Sequence, residues 1–200
     1  MGVVNVKTYA PMPIDVKEVR RYAGCTVSDD SYDQLINDCI REVNGQLSFK
    51  ACYATFPIEI CTDSIDLGFQ SVRSADLAKC LKGCSQIIVF ASTVGIGADR
   101  LIKKYSAVSP AKALIMNALC TERIESLCDL FCKELSDEFS KKSKRLTPRF
   151  SPGYGDLPLN LQTDIIRITE AQKSIGLTLT DNLIMIPTKS VTAIIGVKSL

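Results

Sequence analysis

The hydrophobic and polar positions along the chain predict a mixture of helices and strands. Apolar residues at intervals of three and four indicate amphipathic helices, and short β-branched runs indicate strands. Because the two kinds of element do not alternate strictly, we expect an α+β fold, a twisted and largely antiparallel sheet with flanking helices. Helices are predicted over 13–22, from Ser28 to about 47, and over 75–81, 97–105, 110–139 and 161–174, and strands over 49–60, within 63–69, and over 86–94, 183–187 and 191–197.

Capping residues set the ends of several of these helices. Ser28, followed by two aspartates, and Ser74 and Ser109 are expected N-terminal caps. Pro110 fits the first position of the longest helix. The helices are expected to end at the glycines Gly24, Gly83 and Gly176. The longest helix should bury the stripe Cys120, Ile124, Leu127, Cys128, Phe131 and Leu135.

The fully apolar strand over 86–94 is predicted to lie centrally in the sheet. The sequence TVGIGADR follows its end and leads into a helix, an order that is similar to a phosphate-binding loop. The third glycine and the lysine of such loops are missing, however. A tight strand-to-helix turn near a ligand is therefore the expected role of Gly95 and Gly97.

Composition narrows the classes of protein to consider. With 200 residues, 46% hydrophobic and 23% charged, the chain is expected to form a single domain over 1–200. A formal net charge of +2 gives little reason to expect nucleic acid. The short basic run over 141–145 is interpreted as a solvated loop or a docking patch for an acidic partner. The apolar runs are too short to cross a bilayer, and no signal peptide is visible, so no membrane is expected.

Histidine is absent, which excludes a Ser-His-Asp triad and every histidine-ligated metal site. The nine cysteines are scattered, and without a secretory signal they favour buried thiols in a reducing cytoplasm. Two pairs, Cys80 with Cys84 and Cys128 with Cys132, are four residues apart, which is a weak pattern for a metal site. No metal site is predicted.

The segment RFSPGYGDLPLNLQ, 149–162, carries the main candidate chemistry. Its prolines and glycines fix the backbone and allow close approach. Arg149 has the geometry to grip a carboxylate, or to form a structural salt bridge. Tyr154 would cover a planar ring or pack ordinarily, and Gly153 and Gly155 would offer amides to a ligand or form a turn. Asp156 would orient a ligand or cap the following turn.

One further candidate lies on the longest helix. Glu125 is placed beside the apolar stripe rather than opposite it. A carboxylate there is unfavourable unless it is paired. It would bind a ligand ammonium, or pair with a nearby lysine or arginine.

RFSPGYGD and the later string KSVTAIIG, 189–196, resemble the activation (reactivation) domain of cobalamin-dependent methionine synthase, most closely its free-standing, single-domain version. The resemblance continues more weakly from about Val16 to the C-terminus. In that family, S-adenosylmethionine lies in a groove between an Arg-x-x-Pro-Gly-Tyr loop and a long helix. The resemblance thus implies ligand-binding roles for Glu125, Arg149, Ser151, Pro152, Gly153, Tyr154, Gly155, Asp156, Lys189 and Ser190.

The implied function is the rescue of inert cob(II)alamin by reductive methylation. The resemblance implies a stand-alone subunit that presents S-adenosylmethionine to a cobalamin-binding methionine synthase or a related corrinoid methyltransferase. Its partner would carry the cobalamin, and a flavodoxin-like protein would donate the electron. Catalysis would consist of positioning, because the sulfonium is already activated.

The chain departs from the fused domain of the family at two places. That domain has a ligand-binding aspartate after an EVLRY-like string, whereas here EVRRY, 18–22, is followed by Ala23 and Gly24. It also has a tyrosine in the final strand, where this chain has Ile194 and Ile195. One alternative is a non-catalytic module that senses S-adenosylmethionine or docks on a corrinoid protein. Another is an independent methyltransferase, although the glycine-rich first loop of the common methyltransferase fold is missing.

Overall fold

The computed structural model describes residues 3–25 and 30–199 and has the predicted α+β architecture. The predicted cap at Ser28 and the aspartate after it lie outside the described residues. In chain order the elements are β1 (Asn5–Tyr9), α1 (Val16–Tyr22), α2 (Asp30–Val43), β2 (Phe49–Pro57), β3 (Glu59–Ile60), β4 (Ile65–Asp66), β5 (Ser71–Val72), α3 (Ala75–Cys80), β6 (Gln86–Thr93), α4 (Gly97–Ser106), α5 (Pro110–Ser140), β7 (Lys144–Leu146), α6 (Leu161–Ile168), α7 (Ala171–Ile175), β8 (Thr178–Leu179), β9 (Met185–Ile186) and β10 (Ser190–Ser199).

Five strands form an antiparallel sheet in the order β1-β2-β6-β10-β7. The central position predicted for the apolar strand is confirmed, because β6 pairs with β2 on one side and β10 on the other. Phe90, for example, lies opposite Tyr53 in β2 and Ala193 in β10. Both faces of β6 are covered, which explains why its sequence is apolar throughout.

One face of the sheet packs against α1, α2, α4 and α5. The apolar stripe of α2 packs there through Ile36, Cys39 and Val43. The predicted stripe of α5 is confirmed, since all six of its residues are buried in this core. Thus α5, 31 residues long, lies across the sheet and fixes the position of every polar side chain that it carries beside the stripe.

The opposite face packs against α3, α6 and α7, which bury Leu77, Ile165 and Ala171. The prediction of one helix over 161–174 is corrected here, because two helices occupy this range. The break falls at Glu170, whose backbone has a φ of 49°, in the left-handed region that ends a helix. The predicted ends at Gly24, Gly83 and Gly176 are confirmed by positive φ at all three.

Other boundaries also differ from the prediction. The first helix begins at Val16, because the Asp15 side chain caps it by accepting the amides of residues 17 and 18. Ser109 holds the N-cap position of α5 without a side-chain capping bond. The basic run over 141–145, interpreted as a solvated loop or a docking patch, leads into β7, which was not predicted and pairs with the end of β10. The strand β1 was not predicted, and β9 pairs with β8 rather than joining the main sheet.

The edge of β10 is only partly covered. The strand β7 pairs with residues 197–199, and a single bridge then joins Phe150 to Ile194. Beyond that bridge the chain leaves the sheet and enters the loop that contains the predicted site. No helix within residues 3–25 and 30–199 has the length and apolar character needed to span a bilayer.

Candidate functional site

Arg149 is positioned by the edge of the sheet. The next residue, Phe150, exchanges two backbone hydrogen bonds of 2.8 Å with Ile194 in β10. The Phe150 side chain packs into the core on the α3 and α6 face. Because neighbouring residues of an extended chain point to opposite faces, Arg149 is directed toward α5.

On α5 the Arg149 guanidinium meets two carboxylates. Its Nη2 donates to Glu125 Oε2 and its Nη1 donates to Asp129 Oδ1, each over 2.6 Å. The two acids are four residues apart, so they lie one above the other on the same face of the helix. The arginine side chain is 28% exposed, that of Glu125 is 37% exposed and that of Asp129 is 73% exposed. The structure thus brings the two predicted charges together and adds an acid that the sequence analysis missed.

This environment fixes the charge of Arg149. Burial by itself lowers the pKa of the guanidinium, but the hydrogen bond to Asp129 and the nearby Glu125 carboxylate outweigh it and raise the pKa above its ordinary value. The side chain therefore stays cationic over any accessible pH. A fixed cation held by acids can exchange one anionic partner for another without losing its charge.

A groove of about 370 Å³ opens beside this cluster, between α1 and α5. One wall is α1, which contains the string EVRRY, 18–22, and whose residues were not predicted to belong to the site. Burial, reinforced by the Glu125 carboxylate, raises the pKa of Tyr22, so its hydroxyl stays protonated. The lining residues are Asp15, Glu18, Arg21, Tyr22, Glu122, Glu125, Ser126, Asp129 and Arg149.

One of these lining residues, Glu122, belongs to a buried ion pair. Glu122 and Arg123, each 2% exposed, contact one another through their side chains. Arg123 also donates to the carbonyls of Met12 and Pro13, and Glu122 accepts the Asp15 amide over 3.1 Å. The pair thereby fastens the segment before α1 onto α5. The sequence signal for this pair was an adjacent glutamate and arginine among the apolar positions of a long helix. The sequence analysis did not use this signal.

The loop over 151–156 passes around the edge of the sheet. Pro152 is buried, while Tyr154 is 71% exposed and is therefore not packed in a core. The Gly153 amide donates to the Leu157 carbonyl over 2.9 Å, and Gly153 has a φ of 88°. Gly153 was interpreted either as offering its amide to a ligand or as forming a turn, and the structure shows a turn. It leaves the Tyr154 ring projecting from a fixed backbone.

Asp156 caps a helix, although not the turn that follows it. Its carboxylate accepts the Ser74 hydroxyl and the amides of Ala75 and Asp76, at 2.6 and 3.2 Å, at the start of α3. The hydrogen bond from Ser74, with those from the two amides, lowers the pKa of Asp156. The carboxylate therefore joins the 151–156 loop to α3, on the side of the sheet away from α5.

Lys189 lies in the loop before β10 and contacts the same face of α5. Its Nζ donates to Thr121 Oγ1 over 2.8 Å, and Thr121 is one turn before Glu125. Burial lowers the pKa of Lys189, although neighbouring Cys120 and Asp99 oppose the shift. Thr121, Glu125 and Asp129 thus present a row about 12 Å long to two cations.

Ser190 is buried and forms a structural contact. Its Oγ lies 2.8 Å from Thr93 Oγ1 and 2.7 Å from the Pro187 carbonyl. These contacts join the start of β10 to the end of β6. The hydroxyl is therefore engaged within the protein, next to Lys189 but behind it.

The TVGIG segment is a tight turn, in agreement with the sequence analysis. A Cβ atom on Gly97 would overlap the Gln46 carbonyl oxygen, and one on Gly95 would overlap Ser48 Oγ. These glycines therefore allow close packing against the chain before β2. The turn leads into α4, where Asp99 accepts the Thr188 amide over 3.0 Å. This contact holds the loop that carries Lys189.

All nine cysteines are free, and they do not assemble into a metal-ligand cluster within the described parts of the chain. Cys80 contacts Thr147 Oγ1 and the Pro148 carbonyl instead. Cys128 lies 3.2 Å from Ser92 Oγ, and burial raises the pKa of its thiol to about 12. The thiols of Cys80 and Cys128 are therefore engaged by contacts within the protein.

The fold and the site define an α+β domain with a polar groove beside one long, buried helix. The model of the family described as "Vitamin B12 dependent methionine synthase, activation domain" matches residues 72–199. The chain therefore belongs to this family. The matched region contains Glu125, Arg149 and Lys189, whereas α1 lies outside it.

The crystal structure of the MetH reactivation domain bound to AdoHcy is similar to this chain, with a TM-score of 0.71 and 16% sequence identity. The similarity covers 97% of this chain and 78% of that one. At this identity it establishes the fold, and so confirms the twisted, largely antiparallel sheet with flanking helices. No curated protein matches the chain.

Proposed function

We propose that this chain binds S-adenosylmethionine in the groove between α1 and α5. It would thereby support the reductive methylation of oxidised cob(II)alamin on a cobalamin-dependent methionine synthase or a related corrinoid methyltransferase. Membership in the activation-domain family supports the proposal. So does the AdoHcy bound to the similar MetH domain, since AdoHcy is S-adenosylmethionine without its methyl group.

The observation that carries the proposal is the pairing of Arg149 with acids on α5. An amino acid ligand brings both a carboxylate and an ammonium, so its site needs a cation and an acid side by side. Arg149 and Glu125 meet this need, with a nitrogen–oxygen distance of 2.6 Å. The groove volume of about 370 Å³ is within the range of small-molecule sites.

The remaining candidates would receive the rest of the ligand. We place the methionine end at Glu125 and Arg149, and the adenosine end along the loop over 151–156. There the exposed ring of Tyr154 would stack on the adenine. Lys189 would approach the ligand from its contact with Thr121, one turn before Glu125 on α5, and Ser190 would act by holding the loop that carries Lys189. Asp156 would act through its hold on the 151–156 loop.

S-adenosylmethionine supplies a methyl group on a sulfonium, and the Co(I) state of the cobalamin accepts it. The residues of this chain would bind the ligand and hold its methyl group toward the partner. We propose no proton transfer for them.

We further propose that residues 1–200 act as one domain in trans on a partner that carries the cobalamin. A flavodoxin-like donor would supply the electron. The main sheet supports the single domain, because it joins β1 near the start of the chain to β10 near its end. The free thiols favour the cytoplasm as the location.

Calorimetric titration with S-adenosylmethionine tests the binding step. We expect saturable binding by the wild type and its loss in Arg149→Ala. Arg145→Ala is the matched control, because Arg145 is an exposed arginine on β7, away from the groove. Equal binding by wild type and Arg149→Ala would contradict the proposed site.

A reactivation assay tests the role in methyl transfer. Oxidised corrinoid protein, a reduced flavodoxin and S-adenosylmethionine are mixed with and without this chain, and the methylated cobalamin is followed by its absorbance. We expect methylation to depend on the chain. Binding without any stimulation would favour the non-catalytic sensing or docking module instead.

A further inference from the structure

We propose that Asp129 is an internal competitor for the ligand carboxylate at Arg149. In this view Asp129 occupies the guanidinium in the free protein and is displaced when the ligand binds, while Glu125 stays in place. The inference rests on the proposed function, because it assigns Arg149 to the carboxylate of S-adenosylmethionine. It adds a residue that determines affinity for one chemical feature of the ligand.

The first step is the occupancy of Arg149. A bidentate grip on a carboxylate needs two neighbouring N–H groups that point the same way. Both terminal nitrogens already donate within the protein, Nη1 to Asp129 and Nη2 to Glu125, each over 2.6 Å. Each terminal nitrogen has a second N–H group, but the Asp129 and Glu125 carboxylates already flank the guanidinium and would repel a third anion placed beside them. A ligand carboxylate therefore competes with the more weakly held acid for the guanidinium.

The second step is which acid leaves. The Asp129 side chain is 73% exposed, whereas that of Glu125 is 37% exposed. An ion pair in water is weak, and its separated carboxylate is readily hydrated. Removing Arg149 from Glu125 would leave a half-covered carboxylate beside the apolar stripe. Asp129 is therefore the partner that exchanges.

The third step is the geometry after exchange. Asp129 follows Glu125 by one turn on α5, so the two contacts approach the guanidinium from positions along one helix face. With Asp129 displaced, Glu125 still holds Nη2 and keeps Arg149 in the groove. The freed Nη1 is then available to a ligand carboxylate in the groove, which both Arg149 and Asp129 line. Asp129 thus keeps Arg149 ordered and its charge neutralised while no ligand is bound. It also weakens the binding of ligands that carry a carboxylate.

The experiment compares two ligands by calorimetry at fixed ionic strength. S-adenosylmethionine has the carboxylate, and decarboxylated S-adenosylmethionine lacks only that group. Both are titrated into wild type, Asp129→Asn and Asp129→Ala. The control is Asp137→Asn, which removes the same charge from an exposed position two turns further along α5. The readout is the ratio of the two dissociation constants. Because decarboxylated S-adenosylmethionine carries one more net positive charge, long-range attraction also moves this ratio, so both titrations are repeated at a second, higher ionic strength that screens this attraction.

We expect both Asp129 variants to shift this ratio in favour of S-adenosylmethionine by about two- to fivefold, the range of a solvent-exposed ion pair. Asp137→Asn should leave the ratio at its wild-type value. An unchanged ratio, or a shift toward the decarboxylated ligand, would overturn the inference while leaving the proposed function intact. If neither the wild type nor the variants bind S-adenosylmethionine, the proposed function fails and the inference with it.

Discussion

Arg149 Nη2 donates to Glu125 Oε2 across 24 residues of sequence, over a distance of 2.6 Å. The contact joins the chain that follows β7 to the middle of α5. Each residue stabilises the other, because the contact leaves neither charge unpaired beside the core. The predicted cation and the predicted acid of the site are therefore one unit, and removing either changes both.

Glu125→Gln is expected to weaken binding of S-adenosylmethionine by roughly three- to tenfold. The substitution removes the charge that faces the ligand ammonium and loosens the hold on Arg149, and the contact is partly exposed. Calorimetric titration measures the change. Glu138→Gln is the control, because Glu138 pairs with Lys142 near the exposed end of the same helix. Wild-type affinity in Glu125→Gln would contradict the role given to this acid.

The fold was predictable where a single local pattern decides the element. The helix α5 and the strand β6 were predicted because their apolar periods are long and unambiguous. The strands β1 and β7 were not, because they are short edge strands that exist through their pairing with β2 and β10. The break at Glu170 was also missed, since nothing in the local pattern requires a left-handed backbone there.

The candidate site was predictable residue by residue but not as an arrangement. Arg149 and Glu125 each stood out from the sequence, yet their contact depends on how α5 crosses the sheet. Asp129 did not stand out, because an exposed acid on a helix is ordinary. The α1 wall of the groove depends on the buried pair Glu122 and Arg123, which only tertiary packing defines.

Arg123→Met is expected to destabilise the protein by about 3–5 kcal/mol. The guanidinium is 2% exposed, and its removal leaves the Glu122 carboxylate buried without its partner. It also removes the donors to the carbonyls of Met12 and Pro13. Urea denaturation followed by circular dichroism gives the free energy of unfolding.

The double variant Glu122→Gln with Arg123→Met separates the two causes of that loss. It takes away the unpaired charge, so it should be more stable than Arg123→Met alone. If the double variant is the less stable of the two, the buried charge is not the source of the destabilisation.

Gly97→Ala is expected to destabilise the protein by about 1–3 kcal/mol. Gly97 is the first residue of α4, where alanine would ordinarily stabilise a helix by roughly 0.5–1 kcal/mol. The added Cβ would overlap the Gln46 carbonyl oxygen, however, and backbone cannot move aside as a flexible side chain can. Thermal or urea unfolding measures the change in the free energy of unfolding. A Gly97→Ala variant more stable than the wild type would show that this contact is not close.

Asp156→Asn is expected to lower the melting temperature at pH 7. The Asp156 carboxylate accepts the Ser74 hydroxyl and the first amides of α3, and these bonds lower its pKa in the folded protein. A folded pKa below the unfolded value of about 3.9 stabilises the protein at pH values above both, and this stabilisation is lost as the pH falls through the folded pKa. The melting temperatures of wild type and variant should therefore converge in acid.

The same variant separates the two roles considered for Asp156. If the carboxylate only holds the 151–156 loop to α3, Asp156→Asn should still bind S-adenosylmethionine at a temperature where it is fully folded, with at most a modest loss from the loosened loop. Asp181→Asn, a change at an exposed residue in the turn before β9, serves as the control for both measurements. Abolished binding by a folded Asp156→Asn, with a melting curve like that of the control, would instead make Asp156 a ligand contact. Because the carboxylate already accepts three donors from Ser74, Ala75 and Asp76, we expect the first outcome.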